Sequence, residues 1–217
     1  PVYLFSINSK PCFGLINASI ENTSLEYKDI FILRNFKNKE VAWIGTVGHQ
    51  LMNWHRNHRF CGKCGSRTEL KKDERAIVCP QCNHIVFPIL SPAIIVAITC
   101  NNKILLARGT HYKGDFYALI AGYVDIGESI EETVAREVKE EVGLDVKNLR
   151  YIKSQPWPFS SSLMLGFTAE ADDTQPIVID ENEIKEAAWF DRGNLPNYAT
   201  NASISGDLIS AFEKGLI

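Results

Sequence analysis

The sequence has no basic surplus. Its 23 Lys and Arg are outnumbered by 26 Asp and Glu, giving a formal net charge of −3. That balance speaks against a dedicated nucleic-acid binder, which gathers cations on its surface. Long apolar runs are also missing: stretches such as Ala93–Ile98 fall well below the roughly 20 residues that span a bilayer, so no membrane association is expected. The opening stretch Pro1–Ser6 has neither a charged start nor a long apolar core, and no secretory leader is expected there. There is no internal repeat and no low-complexity tract. Isolated cysteines are few: of six, four fall in two pairs, and only Cys12 and Cys100 stand alone, each read as a small buried hydrophobe. A secreted disulfide scaffold is thereby excluded, and a reducing, cytoplasmic compartment is expected.

What is present is the material of a globular protein. The 217 residues are 45% hydrophobic and 23% charged, enough to build a core. Three segments are expected. Residues 1–46 read as a small β-rich N-terminal domain, with strands at Val2–Ile7, Ile30–Leu33 and Val41–Ile44 separated by Asn8-Ser9 and Asn35–Asn38. Residues 47–88 read as a helix followed by a cysteine-bearing ribbon; Val47, Leu51, Trp54 and His58 recur at helical spacing. Residues 89–217 form the third domain. It opens with the apolar run Ala93–Thr99, an Asn101-Asn102 turn into Lys103–Arg108, and a strand over Tyr117–Ile120.

The cysteine pairs are Cys61/Cys64 and Cys79/Cys82, with Gly65 and Asn83 following them. Each pair makes a tight knuckle that aims two thiolates at one point. The residues between the pairs are enough for a hairpin that closes the knuckles around a tetrahedral Zn²⁺. Redox pairs or free thiols are the alternative. Four protein ligands leave no open position, so such a zinc folds the ribbon and does not catalyse. His55 and His58 lie close by, but the cysteines already complete the ligand set.

Residues 122–144 read GYVDIGESIEETVAREVKEEVGL. Gly122 and Gly127 allow a tight loop, Glu128-Ser129 starts a helix and Gly143 ends it. Ile130, Val134, Val138 and Val142 form an apolar strip that can pack on a sheet. Beside it lie Glu137 and Glu141, one turn apart, with Glu140 adjoining. A run of glutamates on a helix is commonly a solvated face, and that reading has to be weighed here. Against it stands the pattern G-x5-E-x7-R-E-V-x-E-E-x-G-L, which fixes residue type at set positions over the whole segment. This is the complete signature of the Nudix hydrolase family, and the segment resembles it without departure.

The resemblance implies a mixed sheet between helices. It also implies a metal site held by Glu137, Glu140 and Glu141 with the Gly122 carbonyl, catalytic work by Glu141 and Glu137, and support from Arg136 and Glu128. Carboxylate oxygens suit hard cations, so Mg²⁺ or Mn²⁺ is expected there. A later acid completes such sites; Glu183 matches best and Glu186 is the alternative.

Past this segment comes Ser154-Gln155-Pro156-Trp157-Pro158-Phe159. On physics alone it is a proline-rich turn that packs two aromatics, its prolines barring a regular strand. Placed after a Nudix signature it resembles the NADH pyrophosphatase family, in which a four-cysteine zinc ribbon and a run like Trp54–Cys61 also occur. That signature continues with Pro where this chain has Ser160, while Ser162-Leu163-Met164 remain. The resemblance implies substrate contacts from Tyr123, Ser154, Gln155 and Trp157, from an Ala202–Ser205 turn through Ser205, and from Phe87 of the other chain of a homodimer.

The expected protein is therefore α/β: a Nudix fold preceded by a zinc ribbon and a small β-rich domain. The implied activity is hydrolysis of NADH or NAD to nicotinamide mononucleotide and AMP, with removal of NAD caps from RNA as the same chemistry on a longer substrate. The alternative from another class is a zinc-ribbon nucleic-acid-binding protein whose Nudix domain is inactive.

Overall fold

A computed structural model describes residues 1–16, 24–111, 114–198 and 203–217. The chain divides into two compact units, Pro1–Leu90 with Pro158–Ser161, and Ser91–Trp157 with Ser162–Ile217. Among the described residues no helix is long and apolar enough to cross a membrane.

In the first unit, β1 (Val2–Ile7) and β2 (Lys10–Gly14) form an antiparallel hairpin. Its turn is Asn8-Ser9, both at positive φ, as a two-residue hairpin turn requires. The other two strands expected in this region are absent. Ile30–Leu33 lies in a 3-10 turn, Ile30–Asn35, and Val41–Ile44 lies in helix α1, Lys39–Asn57. The caps decide both cases. The Asp29 side chain accepts from Phe31 N–H, and the Asn38 side chain accepts from the N–H groups of Glu40 and Val41. Each cap satisfies donors that a helical turn leaves free, and short apolar runs carry no period of their own to oppose it. Helix α1 thus crosses residue 46, where the sequence suggested a boundary. Leu51 and Trp54 on α1 pack with Leu4 and Ile77 as the core of this unit.

The ribbon follows as a three-stranded antiparallel sheet, β3 (Glu69–Leu70), β4 (Ile77–Val78) and β5 (Ile85–Val86). So small a sheet cannot stand on burial alone. Its two knuckles repeat one geometry: Gly65 N–H donates to the Cys61 carbonyl and Asn83 N–H to that of Cys79, each at 2.8 Å.

The second unit is a mixed sheet between helices. Its strands are β6 (Ser91–Cys100), β7 (Lys103–Gly109), β8 (Ile120–Tyr123), β9 (Lys147–Trp157), β10 (Ser162–Glu170) and β11 (Ile184–Asp191). They run in the order β11-β7-β6-β10-β9, with β8 also paired to β6. Among the described strands, only β10 and β6 pair in parallel. The apolar run of β6 is explained by burial on both faces. Ile94, Val96 and Ile98 join Val134, Val138 and Val142 of helix α2 (Ile130–Val142), while Ile95 and Ala97 join Ile204, Leu208, Ile209 and Phe212 of helix α3 (Ile204–Glu213).

Two expectations are corrected in this unit. The strand expected at Tyr117–Ile120 begins only at Ile120 and runs into the signature itself, because Tyr117 N–H is spent on the Asn197 carbonyl and Ala118 makes only an isolated bridge to Ala107. The Ser154–Trp157 stretch, expected as a loop, lies in β9, with Pro156 opposite Leu163. β9 is an edge strand, whose open side needs no ladder donor, so proline's missing N–H does no harm there.

Candidate functional site

Helix α2 is fixed at both ends. The Ser129 hydroxyl accepts from Glu132 N–H while the Glu132 carboxylate accepts from Ser129 N–H, a reciprocal capping box. Gly143 closes the helix at φ 75°, a left-handed position that suits glycine. With Val134, Val138 and Val142 turned fully into the core, Glu137 and Glu141 are drawn to the rim of the helix–sheet contact. They are only 9% and 7% exposed.

Strand β8 meets them from the sheet. A Cβ on Gly122 would lie 1.9 Å from the carboxyl carbon of Glu137, so the absence of a side chain there is what admits the acid. Arg136 ties the cluster together. Its guanidinium donates to both carboxylate oxygens of Glu128 at 2.5 and 2.9 Å, to Glu137 and Glu140 at 2.9 Å each, and to the Tyr123 carbonyl at 3.0 Å. Glu128 in turn accepts from Asp125 N–H and the Thr133 hydroxyl, joining loop to helix. The Arg136 bonds hold the Glu128 carboxyl at about 2.

The acid nearest the core is in the opposite state. Burial, and then the charges of Glu137, Glu183, Asp180 and Glu140, push Glu141 up to about 8. Burial also raises Glu137, against the pull of Arg136. The turn Asp180–Glu183 is secured next to the helix end, where Asp180 N–H donates to the Glu141 carbonyl at 3.1 Å and Val178 N–H to that of Val142 at 3.0 Å. Glu183 therefore acts on both Glu137 and Glu141, whereas Glu186 faces Arg108 at 3.6 Å. Asp180 belongs to the same field and had no signal in the sequence beyond its place in an acidic stretch.

Three acids share the Arg136 guanidinium while Glu141, the most buried, is held protonated beside them, a donor set that lacks counter-charge. Oxygen ligands of this kind fit a hard divalent cation. The cysteines fit a different ion. Cys61, Cys64, Cys79 and Cys82 present sulfurs all within 4.8 Å of one another. Cys61 and Cys82 are 3.7 Å apart and Cys64 and Cys79 3.5 Å, near the roughly 3.8 Å edge of a tetrahedron built from Zn–S bonds of about 2.3 Å. Hydrogen bonds from Ser66 hold the Cys64 thiol at about 6, so one ligand is a thiolate near neutral pH. His55 and His58 lie outside this set; His58 Nδ1 is engaged with the Trp54 carbonyl at 2.7 Å.

The remaining candidates fall into three groups. Tyr123 is half exposed, and its hydroxyl pairs at 3.1 Å with Ser162, a buried hydroxyl the sequence had not marked. Gln155 does not point freely at a ligand: its side-chain oxygen accepts from Ile204 N–H at 2.7 Å, fastening β9 to the start of α3. Ser205 is half-buried in the first turn of α3, and Ala202 lies outside the described residues. Ser154 is exposed on β9, Trp157 is half-buried at its end, and Phe87 is 54% exposed at the exit of the ribbon in the first unit.

Residues 90–212 match the NUDIX domain, and residues 56–87 match the NADH pyrophosphatase zinc ribbon domain. The chain is similar to a protein of Pseudomonas aeruginosa (strain LESB58) named NAD-capped RNA hydrolase NudC, at 46% identity over 163 residues, 75% of this chain and 58% of that protein. A Citrobacter koseri protein of the same name is 44% identical over 183 residues, 83% of this chain and 71% of its own length. The chain thus spans little more than half of the Pseudomonas relative. Among solved structures, a NUDIX hydrolase from Nitrosomonas europaea matches with a TM-score of 0.62 at 20% identity, over 72% of this chain and 90% of that one, and speaks to the fold alone. With the full signature on α2 and the four-cysteine ribbon ahead of it, the chain belongs to the Nudix family and carries the NADH pyrophosphatase type of zinc ribbon.

Proposed function

We propose that this protein hydrolyses the pyrophosphate of NADH or NAD, water adding across the P–O–P bridge to give AMP and nicotinamide mononucleotide, reduced from NADH and oxidised from NAD. The same cleavage at the NAD-capped 5′ end of an RNA releases nicotinamide mononucleotide and leaves a 5′-monophosphate on the RNA. The observation that carries this reading is the acid cluster organised by Arg136, with Glu141 held at about 8. An inactive Nudix domain has no use for buried, mutually repelling carboxylates.

In this reading Glu137, Glu140, Glu141 and Glu183, with the Gly122 carbonyl, hold Mg²⁺ or Mn²⁺. When bound, such cations offset pyrophosphate charge and make a bound water easier to deprotonate. Arg136 fixes where Glu137 and Glu140 point, and Glu128 fixes Arg136. Glu141, which a bound cation would favour in its ionised form, takes the proton that the attacking water must lose. Tyr123 offers an open aromatic face to a base, a contact worth roughly 1–3 kcal/mol, with its hydroxyl steadied by Ser162. Ser154 and Trp157 line the approach from β9, while Gln155 acts through α3, where Ser205 stands. Phe87 of the partner subunit completes the aromatic grip, so the working unit is a homodimer. Cysteines free of disulfides suit a cytoplasmic setting.

The test is release of AMP from NADH by the purified protein with and without Mg²⁺ or Mn²⁺. No AMP under any divalent cation would overturn the assignment.

A further inference from the structure

The segment Pro158–Ser161 closes the turn between β9 and β10, yet it is compact with the first unit. What it touches there is specific. The ring of Phe159 stacks on that of Phe31, centroids 5.1 Å apart and planes inclined by 8°. Phe31 is held on its own side. Its N–H donates to Asp29 Oδ1 at 2.8 Å, and it sits in the 3-10 turn that α1 supports, where a Cβ on Gly45 would come within 2.7 Å of Leu33 Cδ1. Phe31 remains 51% exposed, so ordinary core burial does not account for its position; the face it covers is Phe159.

The segment has reason to need such a hold. Ser161 adopts φ 59°, a left-handed conformation that serine rarely takes and that neighbouring structure must maintain. Ser160 stands where the NADH pyrophosphatase signature has a proline, so the backbone is less restricted here than in that signature. The residues on either side of the segment are Trp157 and Ser162, both of which the proposed function uses.

We propose that Phe31 is a positioning residue for the substrate loop: by stacking on Phe159 it holds Pro158–Ser161, and with them the end of β9 that carries Trp157, in the conformation that grips the dinucleotide. This gives the N-terminal segment a part in specificity, and it rests on the reading of Trp157 as a substrate contact. Phe31 touches no reacting atom, and its loss acts on binding.

The experiment is a steady-state comparison of wild type, Phe31→Ala, Phe31→Tyr, Phe159→Ala and the Phe31→Ala/Phe159→Ala double variant with NADH, alongside hydrogen exchange of residues 158–162. An aromatic stack of this kind is worth about two- to tenfold in binding. Phe31→Ala is expected to raise KM for NADH by that factor with kcat within twofold, and to speed exchange in the loop. Phe31→Tyr should restore both. The double variant should be no worse than the poorer single one, because the two rings form one contact. Equal KM and equal exchange in wild type and Phe31→Ala overturn the proposal, as does a strictly additive double variant. A wild type that releases no AMP from NADH overturns the assigned activity, and the clamp is then judged on exchange alone: no acceleration in Phe31→Ala ends it.

Discussion

Replacing Glu141 with glutamine should make the metal-free protein more stable and the enzyme inactive. Glu141 is 7% exposed and ionises at about 8, against an ordinary value of 4.5. Between those limits the folded chain keeps a proton that the unfolded chain gives up. Folding stability is therefore full below about pH 4.5 and falls as pH rises, reaching its floor above about 8. At roughly 1.4 kcal/mol per pH unit the loss approaches about 5 kcal/mol, a large share of the 5–15 kcal/mol typical of a folded domain. Glutamine has the shape without the charge, so its profile should lose this fall and keep only what Glu137, which burial also raises, contributes. Thermal unfolding in buffer stripped of Mg²⁺ and Mn²⁺, with the ribbon zinc retained and α2 amides followed by hydrogen exchange, should show equal stability near pH 5. Near pH 9 the variant should lead by about 10–20 °C, at about 2–4 °C per kcal/mol. Adding Mg²⁺ or Mn²⁺ should rescue the wild type, by about 2.7 kcal/mol at a hundred times Kd, and do little for the variant. Turnover of NADH should fall at least ~100-fold. Parallel pH profiles for the two proteins would refute the argument, because the buried charge would then have no energetic weight.

Three further outcomes are expected. Gly122→Ala puts a methyl where the Glu137 carboxyl lies; it should preserve the circular-dichroism spectrum but reduce turnover by ~100-fold, and activity within fivefold of wild type would contradict the placement of Glu137. Cys79→Ser removes a fully buried ligand, so zinc measured by mass spectrometry should fall from one per chain and solubility should drop before the chemical step changes; full zinc content in the variant would count against the four-sulfur site. Mixing Phe87→Ala chains with Glu141→Gln chains should, after confirmed subunit exchange, restore one tight NADH site per mixed dimer, and no recovery, or a fully active monomer, would rule out a shared site.

What the sequence made legible was whatever depends on local spacing. The signature fixes caps, apolar strip and acids relative to one another within a single helix, and 3.6 residues per turn does the rest. The cysteine knuckles are equally local. What stayed hidden depends on partners far along the chain. Pro156 reads as a strand breaker until β9 proves to be an edge. Gln155 is expected at the substrate, and nothing local announces that its side-chain oxygen also accepts from Ile204 N–H, far along the chain. Val41–Ile44 reads as a strand because four apolar-rich residues carry too little period to announce a helix, and it was Asn38, with its side chain free to cap, that decided the matter. Asp180 was one acid among several, and only its hydrogen bond to the end of α2 sets it in the field of Glu141.

The site's instability follows from the same geometry that builds it. At about 100° per residue, Glu137 and Glu141 stand roughly 60° round the helix from Val134 and Val138. Any packing that seats those valines against β6 must carry the two acids to the edge of the core. A helix with leucine at both positions would dock as well and would fold better. The glutamates are thus the point where local rules and fold disagree, and such disagreements concentrate where a protein acts. Gly122 shows that the sheet is adapted to them, since β8 gives up a side chain at the one place where Glu137 would meet it. Arg136 shows the limit of that adaptation. Its five donors are divided among Glu128, Glu137, Glu140 and the Tyr123 carbonyl, and no hydrogen bond from it reaches Glu141. The charge left over is the one a divalent cation has to supply, which is why the variant that folds best without metal should be the one that cannot turn over.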